Sequence, residues 1–120
     1  MLFQRALVKV AGQNLWLKVA RDGQEAVEYL ITCTGGLAGS RIPQALVLDL
    51  KMHGMDGFEL IEWVRGQSNW QTTPIAVLTS SPLREERDRA LQLGANAYFV
   101  KPSSHDELIS IVEQITGLVG

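Results

Sequence analysis

Three apolar runs in this 120-residue sequence each end on a polar side chain that could take part in chemistry. Residues 45–50 read ALVLDL, and Asp49 is their one charge. Residues 74–80 read PIAVLTS and close on the adjacent hydroxyls of Thr79 and Ser80, while residues 97–102 read AYFVKP and close on Lys101 followed by Pro102. Brought together, a carboxylate, a hydroxyl and an ammonium could attack, bind and neutralise a phosphoryl group. Each has a plainer use when taken alone. An aspartate at a strand end forms turns or caps helices, neighbouring hydroxyls cap the next helix, and a lysine after a strand is ordinary surface. Whether the groups meet depends on the elements that carry them.

Phe3, Ala6, Leu7 and Val10 recur at i, i+3, i+4 and i+7, which predicts an amphipathic helix stopped by Gly12. Residues 15–20 read as a short strand. Asp22, with Glu25 three residues on, has capping-box character and opens a second helix over about residues 23–32. Residues 33–44 combine Gly, Ser and Pro without periodicity and form a loop, long for a helix-to-strand connection. Residues 45–50 are apolar without alternation, as in a strand covered on both faces. A turn through Gly54 and Gly57 follows, and Asp56 with Glu59 opens a third helix facing inward through Phe58, Ile61 and Val64. Residues 74–78 form the next strand. Ser81 is the expected cap of a fourth helix, with Pro82 at its first position and Gly94 at its end. After a strand at residues 97–100, Ser104 and Glu107 open a last helix with the stripe Leu108, Ile111, Val112 and Ile115, ended by Gly117.

Such alternation predicts a three-layer α/β/α sandwich on a parallel sheet with right-handed crossovers. In open sheets of this kind, groups at the carboxyl ends of the strands converge on one crevice, and that rule brings Asp49, Thr79, Ser80 and Lys101 together.

Composition narrows the function further. The 46% hydrophobic content and the length suit one compact domain over residues 1–120, with no room for a second. Eleven basic against thirteen acidic residues leave a formal charge of −2, without the basic footprint of a nucleic-acid or anionic-membrane binder. The charges between Arg84 and Arg89 alternate in sign, as on a solvated helix face. No apolar stretch approaches the ~20 residues that span a bilayer, and nothing after Met1 reads as a signal peptide, so a cytoplasmic location is expected. Cys33 is the only cysteine and forms no internal disulfide; it reads as a thiol without a role.

The stretches LVLDLKMHGMDGFELI, PIAVLTSSP and GANAYFVKP, in this order and spacing and joined by DGQEAVEYL, resemble the receiver domains of bacterial response regulators. The likeness runs from about Leu15 to the end of the chain. It implies a flavodoxin-like fold and a phosphoprotein of a two-component phosphorelay. Asp49 would be phosphorylated by a sensor histidine kinase, and Lys51 would lend its backbone carbonyl to a Mg²⁺ ion bound with Asp49. Thr79, with Ser80 beside it, would be the hydroxyl that closes on the acyl phosphate, and Tyr98 the aromatic that follows the closure. Lys101 would bind phosphoryl oxygens, with a cis bond to Pro102. The wording is most similar to single-domain, chemotaxis-regulator-like receivers, including those that serve phytochrome-type kinases. His53 stands where the family often has proline, and reads as a loop histidine without a role. Trp16, Trp63 and Trp70 read as packing or surface aromatics.

The sequence departs from the family at its start. A full receiver opens with an apolar strand ending in two adjacent acids that bind Mg²⁺; here the first acid is Asp22, placed at a helix cap. One carboxylate and one carbonyl would leave Mg²⁺ weakly held or absent. Met1 falls within what the family would call its first helix, so either the chain is a shortened receiver or the strand is truly missing; an in-frame strand and acidic pair encoded upstream would establish the former. Without that strand, residues 15–20 should slide beside residues 45–50, giving four parallel strands, with Lys101 paired directly to Asp49. The apolar surface left behind favours self-association as a dimer. Three functions compete: a phosphoaccepting switch that signals to a downstream protein by contact, since no output domain follows Gly120; a phosphorylation-independent protein-binding module; and a phosphatase-like hydrolase using Asp49. The last is disfavoured because Lys51 occupies the place of its second acid, so the chain is not read as an enzyme.

Overall fold

A computed structural model describes residues 7–9, 16–34, 44–53 and 55–119. Along the chain these form β1 (Leu7–Lys9), β2 (Trp16–Asp22), α1 (Gly23–Thr34), β3 (Ala45–His53), α2 (Gly57–Arg65), β4 (Ile75–Thr79), α3 (Arg84–Leu93), β5 (Ala97–Val100) and α4 (His105–Val119). The five strands make one sheet in sequence order, in which β2 to β5 are mutually parallel and β1 is antiparallel to β2.

The unalternating apolar run of β3 explains its central place. Successive side chains point to opposite faces. Leu46, Leu48 and Leu50 enter a cluster with Ala26 and Leu30 of α1, Leu60, Ile61 and Val64 of α2, and Ala90 of α3. Ala45 and Val47 face the other way and meet Ile111 and Ile115 of α4. Three helices therefore cover one face of the sheet and α4 the other, which is the expected three-layer arrangement. Trp70 is buried in the larger cluster with Trp63 packed against it, so both are packing aromatics; Cys33 is buried there too.

Beside β3 lies β2, paired in parallel from Leu17 opposite Ala45 to Ala20 opposite Leu48. This is the slide expected of residues 15–20. The expected first helix is corrected: Leu7–Lys9 form a strand, with Leu7 opposite Lys18 and Lys9 opposite Trp16. The sheet thus has a fifth, antiparallel strand beyond the four parallel ones. Once β2 has moved inward its outer edge carries backbone donors and acceptors that need partners, and strand pairing supplies them where a short isolated helix would be marginal. The remainder of that expected helix, its Gly12 stop, residues 35–43 of the long loop, and Gly54 lie outside the described residues.

Capping follows the sequence closely, with three adjustments. The Asp22 carboxylate accepts from the N–H groups of Gln24 (2.9 Å) and Glu25 (3.3 Å), and α1 runs two residues past the expected end. At α2 the capping box is complete: Asp56 accepts from the Glu59 N–H and Glu59 from the Asp56 N–H. The fourth expected helix starts late, with Leu83 as its N-cap and no side-chain cap. The Ser81 hydroxyl instead accepts from the Leu83 N–H at 3.3 Å, while the Ser81 carbonyl is engaged by Tyr98. Gly94 ends that helix at φ 124°, a conformation open to glycine. At α4, Ser104 caps the Glu107 N–H, but the Glu107 carboxylate reaches back to Ser103 rather than closing the box; the helix continues through Gly117 to Val119.

Arg65, the last residue of α2, fixes the opposite end of the sheet from the strand carboxyl termini. Its guanidinium donates to the carbonyls of Gly94 (3.0 and 2.8 Å), Trp70 (3.1 Å) and Thr73 (2.8 Å) and to the Asn96 side chain (2.9 Å). That Asn96 oxygen also accepts from the Ile75 N–H, and the Asn96 N–H donates to the Ile75 carbonyl. One side chain thereby joins α2, the turn before β4 and the turn before β5.

Candidate functional site

The parallel pairing of β3, β4 and β5 sets their carboxyl ends side by side. The last β4–β5 pair is Thr79 with Val100, and the Lys101 N–H extends the ladder by donating to the Thr79 carbonyl at 2.7 Å. Lys101 consequently leaves the sheet next to Thr79 and reaches across to β3. Its Nζ lies 2.8 Å from Oδ2 of Asp49, the direct ion pair expected from the sequence.

Two donors meet the Asp49 carboxylate. Besides Lys101, the Lys51 N–H donates to Oδ1 at 3.2 Å, and the buried Thr79 lies close enough for its hydroxyl to help lower the Asp49 pKa. Thr79 Oγ1 in turn accepts from the Ser81 N–H at 3.4 Å, and the Ser81 carbonyl accepts from the Tyr98 hydroxyl at 2.9 Å. A hydrogen-bonded path thus runs from Thr79 through Ser81 to Tyr98, with Asp49 beside its Thr79 end. Ser80 is exposed, and the serine on this path is Ser81, which sequence reasoning assigned only to a helix cap.

Burial alone would push the Asp49 carboxyl up, but the hydrogen bonds from Lys101, Lys51 and Thr79, with the charge of Lys101, outweigh it and hold the group below its ordinary value. Tyr98 is raised, chiefly by burial and further by the charges of Glu86 and Asp49, against the opposing hydrogen bond to Ser81. A carboxyl depressed on folding adds stability that is present above its unfolded pKa and lost as pH falls through its folded one. Lys101→Met should therefore move the Asp49 midpoint upward and shrink the stability difference between neutral and acid pH. Carboxyl-carbon NMR titration of both chains checks this, and an unmoved midpoint would refute the pairing in solution.

Two expectations for the site are tested by its geometry. No cis peptide bond occurs among the described residues, so the Lys101–Pro102 bond is trans, contrary to the expected cis form. Trans is the intrinsically favoured isomer by about 0.5–1 kcal/mol even before proline, and both Lys101 contacts are made with it. The second expectation concerns Mg²⁺. Among the described residues no group of three His, Cys, Asp or Glu side chains could hold a metal ion, and residues 1–6, 10–15, 35–43, 54 and 120 include none of these types. Asp22 is opposite His53 in the sheet, four residues beyond Asp49 and so roughly 13 Å along the strand, and its carboxylate caps α1. The donor set at Asp49 does not fit a magnesium site.

Comparison with known proteins agrees with the geometry. A family profile described as "Response regulator receiver domain" matches residues 3–113. The "Probable methanogenesis regulatory protein FilR2" of Methanothrix harundinacea is 33% identical over 117 residues, covering 96% of this chain and 72% of that protein. The phosphorylated cyanobacterial phytochrome response regulator RcpA superposes with a TM-score of 0.71 at 28% identity, over 95% of this chain and 80% of its own. The Mn²⁺-bound form of the response regulator Rcp1 gives a TM-score of 0.65 at 27% identity, over 79% and 68%. The stretches that carry the likeness in sequence are those that fold into β3, β4 and β5 and bring Asp49, Thr79 and Lys101 into contact, and the chain belongs to the response regulator receiver domain family.

Proposed function

We propose that residues 1–120 act as one receiver domain of a cytoplasmic two-component phosphorelay, with Asp49 as the phosphoacceptor of a sensor histidine kinase. The observation that carries this reading is the 2.8 Å ion pair of Lys101 with Asp49 at the edge of the sheet where Thr79 ends β4. An Asp49 oxygen attacks the phosphorus of a phosphohistidine or of acetyl phosphate; the bond from phosphorus to the imidazole nitrogen or the acetate oxygen breaks, and the leaving group keeps the electron pair. The acyl phosphate retains the oxygens that Lys101 and Thr79 are placed to bind. Drawing Thr79 toward it would pull the path through Ser81 to Tyr98 and so alter the surface of α3, β5 and α4, where Leu83, Val100, Leu108 and Ile109 are exposed. Output is then by contact with a downstream protein rather than by enzymatic turnover, and self-association through apolar surface belongs to the same reading.

A second reading is favoured by one observation: Lys101 already neutralises Asp49, as suits a module that binds partners without phosphorylation. Intact-mass measurement after incubation with acetyl phosphate separates the two. Slow, partial modification that vanishes in Asp49→Asn is the expected result. No modification by acetyl phosphate or by any histidine kinase would leave the second reading, whereas rapid and near-complete modification would contradict the expected slowness.

A further inference from the structure

We propose that the Lys101 ammonium serves Asp49 as a built-in counter-ion in place of a divalent cation, so that this site neither binds Mg²⁺ nor depends on it. In its bearing on phosphorylation the proposal rests on Asp49 being the phosphoacceptor; in its bearing on cation binding it rests on geometry alone.

Charge and lone pairs lead to the same result. The pocket holds one carboxylate and one ammonium 2.8 Å apart, an already neutral pair, so an arriving divalent ion meets no excess negative charge. An ionised carboxylate offers about four acceptor positions, and at Asp49 two of them already receive the Lys101 ammonium and the Lys51 N–H. Mg²⁺ requires a near-octahedral oxygen shell and gives up water reluctantly. To bind here it would have to expel Lys101 and break a charge-assisted hydrogen bond, gaining a single carboxylate. Four other acids are committed elsewhere: Asp22 to the start of α1, Asp56 and Glu59 to each other across the α2 cap, and Glu107 to Ser103. None can turn inward without uncapping a helix or freeing a backbone donor.

Phosphoryl transfer draws most of its stabilisation from fixed positive charge, and here Lys101 is the cation in direct contact with Asp49. Its three N–H donors can follow the charge from the carboxylate to the phosphoryl oxygens.

The test is a titration of the full 120-residue chain with MgCl₂, followed by backbone amide NMR. The expected result is no saturable shift at Asp49, Lys51, Thr79 or Lys101, and the appearance of a cation-dependent shift at Asp49 in Lys101→Met, where the carboxylate is left open. Saturable shifts centred on Asp49 in the unaltered chain would overturn the proposal. In parallel, acetyl phosphate labelling is run with MgCl₂ and with EDTA, and the two rates should agree within about twofold, since no step recruits the metal. Labelling that stops in EDTA overturns the proposal and keeps Asp49 as phosphoacceptor. An absence of labelling in both overturns the phosphoacceptor reading, and the amide titration then decides the counter-ion.

Discussion

Replacing Arg65 with alanine is expected to lower the unfolding free energy by about 3 kcal/mol, and replacing it with lysine to recover little of that loss. The reason lies in what the guanidinium leaves behind. Its acceptors are three main-chain carbonyls, of Trp70, Thr73 and Gly94, and the Asn96 side chain, on the turns before β4 and β5. Hydrogen bonds to a charged donor contribute about 1.5–3 kcal/mol each when measured singly, and less than their sum when they share one side chain. Without the donor, partly buried carbonyls face neither protein nor bulk water. A lysine ammonium is a compact point with three donors and cannot reach acceptors lying on both sides of a planar fork. Burial lowers the Arg65 pKa, but an arginine stays charged throughout the usual pH range, so the lock is expected to hold from acid to alkaline conditions. Urea unfolding midpoints of Arg65→Ala and Arg65→Lys check this. A midpoint near that of the unaltered chain for either variant would show that the contacts are not those of the folded protein in solution.

The same residue marks a boundary of what the sequence can disclose. The acceptors of Arg65 are three main-chain carbonyls and one side-chain amide oxygen, and main-chain carbonyls are alike at every position, so no pattern of residue types announces an arginine that ties two turns to α2. Features carried by residue type at fixed spacing were legible: the Asp56 and Glu59 capping box, the two-faced apolar run of β3, the end of α3 at Gly94, and the meeting of Asp49 with Lys101. Even the displacement of β2 to the side of β3 could be foreseen, because an apolar strand without a neighbour has a large incentive to acquire one. Features decided by competition between elements were not. Leu7–Lys9 carry an apolar spacing that also fits a helix, and the free edge of β2 determines that they pair as a strand. Ser81 has the composition of a helix cap, yet its carbonyl is taken by Tyr98 from seventeen residues away, and the helix begins later. The isomer of the Lys101–Pro102 bond likewise is set by how the chain leaves β5, which no residue type encodes.

Gly57→Ala offers the clearest separation between local propensity and tertiary packing, because the two predict opposite signs. Gly57 is the first residue of α2, and helix propensity alone would have alanine stabilise it by up to about 1 kcal/mol. A Cβ there, however, would lie 2.5 Å from the Asp49 carbonyl oxygen and 2.6 Å from Leu50 Cα. Both are backbone atoms of the central strand, so no side chain can rotate aside. Either the start of α2 lifts from the sheet or β3 bends, and overpacking of this kind costs about 1–3 kcal/mol. The expected net result is a loss of about 2 kcal/mol, with propensity offsetting part of the clash. Gly117 in α4 is the control, since a Cβ at that position has nothing within 4 Å. Gly117→Ala should raise stability by about 0.5–1 kcal/mol, the gain that propensity allows. The clash also falls on Asp49 itself. Asp49 must move with its own carbonyl, which loosens its 2.8 Å contact to Lys101 and its bond from the Lys51 N–H. Gly57→Ala should therefore shift the Asp49 and Lys51 amide resonances and raise the Asp49 titration midpoint, while Gly117→Ala leaves both unchanged. If Gly57→Ala were as stabilising as Gly117→Ala and left the Asp49 resonances in place, then α2 would not be seated against the end of β3, and the positioning of Asp49 by that helix would be wrong.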